Sequence, residues 1–224
     1  STAREIADAF LKQSPDSPDV LPWRALLSEP DPLNCPKARR AELQEQAIRS
    51  IADPLRRGLE LGLLYQQREQ FDKAVAQWRE VLKATTPPED REEPAYLQVR
   101  QLSPRHVAAS YLFDLARRQK DWPLAEEIAK VARDDNLDDC GGYLFAARLA
   151  VAKGENKEAL SDLDECLRQR PIFSYGYMLR GNVQSMLDNE RAAVDDLRKA
   201  AALNPIDPLV AKALANALYA RTSK

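Results

Sequence analysis

Apolar side chains recur at three- and four-residue spacing through most of this chain, with charged and polar residues between them, which is the rhythm of amphipathic helices. Ala3, Ile6, Ala7, Phe10 and Leu11 share one such stripe and predict an N-terminal helix. Leu43, Ala47, Ile48 and Ile51 share another and predict a helix from about Lys37 to Ala52, with at most a short helix between, around Trp23 to Ser28. Further on, the pattern predicts paired helices, of which the clearest run from about Tyr175 to Leu187 and from about Glu190 to Leu203. Turn residues separate such pairs at Lys120-Asp121, Lys153-Gly154-Glu155-Asn156 and Asp188-Asn189, and Pro205 ends the last of them. Gly181 and Ala193 are small, so those two helices can approach closely where they cross, and Leu197 fills the space beside the contact. No strand is predicted.

The paired helices repeat. Stepping back 34 residues from Ala193, Leu197, Ala200 and Pro205 gives Ala159, Leu163, Cys166 and Pro171, and a second step gives Ala125, Ala129, Ala132 and Leu137. Units 106–139, 140–173 and 174–207 follow one another without a gap. A fourth unit, 55–88, carries Leu61-Gly62, Tyr65, Phe71, Ala74 and Trp78, and is offset by a 17-residue insertion, 89–105. One helical hairpin cannot bury its apolar stripe alone, so such units must stack.

This pattern resembles the tetratricopeptide repeat family, whose 34-residue unit carries Trp or Leu, Leu, Gly, Tyr, Ala, an aromatic or Leu, Ala and Pro at set places. Leu61, Gly62, Tyr65, Ala74 and Trp78 make the best match, and the resemblance covers 55–88, 106–207 and a capping helix within 208–224. It implies an all-α fold, a right-handed α-solenoid of stacked antiparallel hairpins. Three residues depart from the pattern: Arg180 replaces an apolar residue, Val81 a small one and Phe113 a glycine.

Two stretches fall outside the register. In 1–54, six of the 15 prolines crowd into positions 15–36, so the expectation is an irregular segment within an N-terminal helical cap that shields the first hairpin. The insertion opens on Pro87-Pro88 and the charged run Glu89 to Glu93, then turns apolar at Tyr96, Leu97, Val99 and Leu102. The expectation is a short helix that packs back on the solenoid, with a partner contact as the alternative.

Charge and composition narrow the function. With 33 Lys+Arg against 35 Asp+Glu the net charge is −2, so there is no basic footprint for nucleic acid and no acidic tail. Cys35, Cys140 and Cys166 show neither CxxC nor Cys/His spacing and read as reduced, small apolar residues. The most apolar run, Cys140 to Ala152, contains Arg148 and is too short to span a bilayer. The chain opens at Ser1 without a basic-then-apolar leader, so a targeting signal is either absent or was removed with whatever preceded it; the compartment is left almost unconstrained, with the cytoplasm weakly favoured. The lone histidine, His106, reads as a surface or capping residue, and the pairs Asp134-Asp135, Asp138-Asp139 and Asp195-Asp196 read as solvated charge at helix ends or on exposed faces. No phosphate-binding, dinucleotide, metalloprotease or nucleophile-elbow motif is present, so neither catalysis nor a cofactor is expected.

In the family that the chain resembles, helix A of each unit lines a concave groove through its second, fifth, sixth, ninth, twelfth and thirteenth residues. Carried onto this sequence, the resemblance implicates Ser110, Tyr111, Asp114, Arg117 and Arg118, then Leu144, Phe145 and Arg148. From the last full unit come Tyr175, Met178, Asn182 and Ser185, and from the terminal helix Lys212, Asn216 and Tyr219. Leu144, Phe145 and Met178 serve a groove or a core equally well. Arg117, Arg118 and Arg148 are surface charges singly, but together would attract a carboxylate or phosphate. Lys212 and Asn216 match the first pair of the family's carboxylate clamp, without its remaining members. The expected role is a non-catalytic module that binds a protein or peptide in the groove, without nucleic acid or membrane insertion, as a monomer or weak homodimer. The alternative is an architectural or self-assembling segment of a larger protein, since the sequence stops inside a repeat at Lys224.

Overall fold

The computed structural model describes residues 2–13, 20–84, 103–135 and 140–222. Among them are twelve α-helices and no strand, in two compact units, Ser1–Ala108 and Ala109–Lys224.

The first unit holds α1 (Ala3–Gln13), α2 (Leu21–Leu27), α3 (Lys37–Arg49), α4 (Pro54–Gln67), α5 (Phe71–Lys83) and the start of α6 (Pro104–Gln119). The α3 helix stops at Arg49, short of the expected Ala52, and α4 starts at once: Asp53 accepts the Leu55 N–H at 2.9 Å, and Pro54 occupies the first turn, where no N–H is needed. Tyr65 on α4 donates to Glu45 on α3 at 2.8 Å, and Arg68 reaches the same carboxylate at 2.9 Å and the Ala41 carbonyl at 2.6 Å. Burial alone would raise the Glu45 pKa, but these hydrogen bonds and Arg49 hold it below the ordinary carboxylate value. The α4 and α5 helices close against two glycines. A Cβ on Gly62 would stand 2.0 Å from the Trp78 indole nitrogen, and one on Gly58 would stand 2.5 Å from Val81. Val81, too large for the family pattern, is thus accommodated by a glycine opposite. The expected stripe of α1 is not buried: Ala7 is in the core, while Ile6 and Phe10 are exposed, because the helix packing against α1, α2, has only seven residues. The helix expected inside 89–105 lies outside the described residues, apart from Pro104 and Arg105, which already belong to α6. Arg105 donates to the Leu82 carbonyl at 2.8 Å, and Ser103 accepts the His106 N–H at 3.2 Å. His106 is buried, which corrects the expectation of a surface residue.

The second unit continues α6 and adds α7 (Trp122–Asp134), α8 (Gly141–Lys153), α9 (Asn156–Gln169), α10 (Ser174–Met186), α11 (Glu190–Leu203) and α12 (Pro208–Thr222). Helices of type A (α6, α8, α10, α12) alternate with helices of type B (α7, α9, α11). Each A-to-B turn is the same object. Lys120, Gly154 and Asp188, spaced by 34 residues, hold φ of 58°, 82° and 60°, and Glu69 holds 59° at the same place in the first unit. The next N–H returns to the helix carbonyl five residues back at 2.9 Å in all four turns, from Gln70, Asp121, Glu155 and Asn189. This is the left-handed cap that closes a helix end.

Within each hairpin, the eighth and twenty-fourth residues of the 34-residue unit complement each other in size: Gly62 with Trp78, Ala147 with Leu163, Gly181 with Leu197. In 106–139 the order is reversed, Phe113 with Ala129, both buried, so the departure at Phe113 is compensated in register. Arg180, the charged departure, donates to Asp196 of its own hairpin at 2.6 and 2.8 Å and to Asp164 of the preceding one at 2.7 Å. Those carboxylates, Asp196 foremost, push its pKa above the ordinary guanidinium range. Asp196 is buried, which corrects its reading as solvated charge: the clamp needs it beneath Arg180. Cys35, Cys140 and Cys166 are buried and form no disulfide.

Candidate partner-binding face

All the candidate groove residues fall in the second unit, on the A helices, and the structure sorts them into three groups. The first is core. Phe145 is 2% exposed and stacks on Phe113 with ring centroids 4.8 Å apart. Met178, 8% exposed, belongs to the cluster of Tyr177, Leu197, Val210 and Ala217. Leu144 packs partly buried on the cluster of Ala147, Ala150, Leu163 and Val183. Helical spacing marks a packed face as readily as an open one, and for these three the packing of neighbouring A helices uses the side chain.

The second group is internally paired. Asp114 and Arg148 are the ninth residues of successive units, 34 apart, and form an ion pair between α6 and α8. The Arg148 guanidinium also lies over the Phe113 ring, 5.1 Å from its centroid. An arginine so engaged does not add to Arg117 and Arg118 as an anion site, which corrects the expectation of three cooperating cations.

The third group lies at the surface or half-buried. Arg117 and Arg118 are exposed at the end of α6, Lys212, Asn216 and Tyr219 are exposed along α12, Tyr175 is exposed at the start of α10, and Ser110, Tyr111 and Asn182 are half-buried. Among the described residues, the side chains of Arg117, Arg118, Asn182, Lys212 and Asn216 make no hydrogen bond or ion pair within the protein. The ninth position thus runs Asp114, Arg148, Asn182, Asn216: a closed ion pair, then two amides with donor and acceptor capacity to spare.

Elsewhere the chemistry is sparse. A concavity of about 470 Å³ lined by Glu190, Arg191, Asp195 and Arg198 lies on helix B α11, not on the A-helix row, and its charges are of both signs. Among the described residues, no group of three His, Cys, Asp or Glu side chains is placed to hold a metal ion, and no helix is long and apolar enough to cross a membrane.

No protein-family model matches the sequence, and no curated protein matches it. Solved structures do. A tetratricopeptide repeat protein from Parabacteroides merdae ATCC 43184 is similar with a TM-score of 0.58 at 17% identity, over 96% of this chain and 77% of its own. The C-terminal part of a TPR repeat-containing protein from Cytophaga hutchinsonii gives 0.50 at 14% identity, over 90% of this chain and 72% of its own. MamA from residue 41 to its end, from Desulfovibrio magneticus RS-1, gives 0.50 at 13% identity, over 78% of this chain and 91% of its own. The resemblance seen in the 34-residue period and the architecture of these structures agree: the chain has the tetratricopeptide-repeat fold.

Proposed function

We propose that this chain is a non-catalytic protein–protein interaction module that binds a protein or peptide across the A-helix row of its second unit. One observation carries the reading: the row keeps Arg117, Arg118, Asn182, Lys212 and Asn216 at solvent-facing register positions although the fold makes no use of their polar groups. Stacked hairpins offer extended surfaces suited to a polypeptide. Amides one period apart suit its backbone, and cations at both ends of the row suit acidic side chains.

The test is affinity capture from a lysate of the source organism by the wild-type chain and by Arg117→Ala/Asn182→Ala/Asn216→Ala. These side chains make no hydrogen bond or ion pair within the fold, so both proteins should melt alike. A prey retained by the wild type and lost by the variant supports the row as the binding surface. Equal retention by both removes the row from consideration.

A further inference from the structure

Two of the chain's three cysteines lie in one hairpin, Cys140 at the start of α8 and Cys166 in the last turn of α9. They are the first and twenty-seventh residues of the unit 140–173. In the next hairpin the same two positions touch: Ser174 donates its hydroxyl hydrogen to the Ala200 carbonyl at 2.9 Å. In the first unit the same side of helix A also meets the same position of helix B, since a Cβ on Gly58, the fourth residue, would stand 2.5 Å from Val81, the twenty-seventh. Hairpins 140–173 and 174–207 close through the same left-handed turn and cross through the same size pair, Ala147 with Leu163 and Gly181 with Leu197. The register therefore carries the Ser174–Ala200 contact onto Cys140 and Cys166. Cysteine, like serine, has one heavy atom beyond Cβ, and a side chain of that reach on the other residue's own carbonyl sets the two backbones at the spacing a disulfide bridges, about 4.4–6.8 Å between Cα atoms. Both cysteines are buried, at 1% and 0% exposure, so the two sulfurs share the interior of one hairpin. Cys35 belongs to the other unit.

We infer that Cys140 and Cys166 are a redox-sensitive pair that closes to a disulfide within the hairpin, with another disulfide as the oxidant. The thiolate of one cysteine attacks the S–S bond of the oxidant, which forms a mixed disulfide and releases one thiolate. The thiolate of the second cysteine then attacks the mixed disulfide at the sulfur of the chain and releases the other. One S–S bond forms as one breaks, two electrons pass to the oxidant, and the protons of the two cysteines go to the two released thiolates. In the reduced chain the thiols fill their places as small apolar side chains. In the oxidised chain the bond ties the start of α8 to the last turn of α9, at the end of the hairpin opposite the Gly154 turn, so both ends are closed. Burial sets the pace: these sulfurs are reached only when the hairpin opens locally, so the pair exchanges slowly in both directions. Closing the loop from 140 to 166 also removes chain entropy from the unfolded state. Neither cysteine belongs to the A-helix row, and the pair is a property of the hairpin whether or not that row binds a partner.

The experiment equilibrates the full chain with oxidised and reduced glutathione in a series of ratios, unfolds it in excess N-ethylmaleimide and reads the intact mass. The reduced chain takes a label on each of its three cysteines. The expected oxidised product is a monomer labelled at Cys35 alone, with a urea midpoint higher by about 1 M or more that returns to the reduced value in dithiothreitol. Cys35→Ser should respond as the wild type does. Cys140→Ser/Cys166→Ala, which gives this hairpin the residues that the next one has at the same positions, should keep the far-UV signal and lose the response. Ser174→Cys/Ala200→Cys in that background should restore it. A wild type that keeps three labels at every ratio, that holds glutathione on Cys140 or Cys166 without closing, or that links to a second chain overturns the inference. So does an oxidised chain with a lower urea midpoint than the reduced one, or failure of the transferred pair to close.

Discussion

Glu69, Lys120 and Asp188 hold a backbone conformation that costs an L-residue about 1–2 kcal/mol and costs glycine nothing. Replacing each by glycine removes that strain against a smaller entropic loss, so each variant should gain about 0.5–1 kcal/mol in urea unfolding, and Gly154→Ala should lose about as much. No gain at any of the three positions would mean that the side chains contribute more than their strain. The sequence marked turns at Lys120, Gly154 and Asp188, but only Gly154 announced the left-handed conformation. The others are ordinary residues, and what forces them is the return bond at 2.9 Å that ends each helix. A second pair of residues differs by its partner. Asp162 and Asp196 are 34 apart, but Asp196 has Arg180 and the matching position for Asp162 is Ala146. Burial raises the Asp162 pKa and the charge of Arg133 opposes this only in part. A carboxyl with a raised folded pKa binds its proton more tightly in the native chain, so it favours folding at low pH and disfavours it once pH passes the unfolded value near 4. Asp162→Asn should therefore be more stable than wild type at pH 7 and no more stable at pH 3, as read from urea midpoints at the two pH values.

At the scale of helices, what the sequence displayed was a periodicity, and what it concealed was which stripe would be covered. Gly181 and Ala193 foretold a close crossing, and a Cβ at 181 would indeed stand 3.1 Å from the Ala193 carbonyl and 2.8 Å from Leu197. Phe145 and Met178 could not be sorted in advance, because both faces of an A helix are apolar: one meets its own hairpin and another the next unit. Burial alone separated them from Tyr175 and Lys212. Phe113 looked like a defect because a single position was compared with a pattern. Its meaning lies in the pair, since Ala129 stands where Trp78, Leu163 and Leu197 stand elsewhere. If the exchange of sizes is real, Phe113→Ala should cost about 3–5 kcal/mol by opening a cavity. Ala129→Leu alone should cost about 1–3 kcal/mol by overpacking. The double variant should be more stable than Phe113→Ala, in a double-mutant cycle read from denaturant midpoints. Additive losses would show that the two positions do not face each other.

At the scale of the molecule, the second unit was legible because three copies in strict register average out local departures, whereas α1 and α2 offer one copy each and their exposed Ile6, Phe10 and Trp23 have no counterpart in the 34-residue register. The open part of the A-helix row was only half legible, since a resemblance can say which positions face outward but not which of them another side chain has claimed, as Asp114 claims Arg148. Repeat architectures are stabilised by each unit's neighbours, so a terminal helix matters through the surface it covers more than through its own contacts. Here α12 places Val210 and Ala217 in the cluster of Tyr177, Met178, Val194 and Leu197, with Ala213 and Leu214 packed partly buried beside them. Ending the chain after Asn204 would return that surface to water. At about 25 cal/mol per Å² of apolar surface, the loss should be about 3–5 kcal/mol, read as a lower urea midpoint. Because the cluster joins α10, α11 and α12, the far-UV signal lost on truncation should exceed what fifteen helical residues account for, as the ends of α10 and α11 fray without their cover. A truncated chain with the wild-type midpoint and only the signal of α12 missing would show that α10 and α11 are held by α8 and α9 alone.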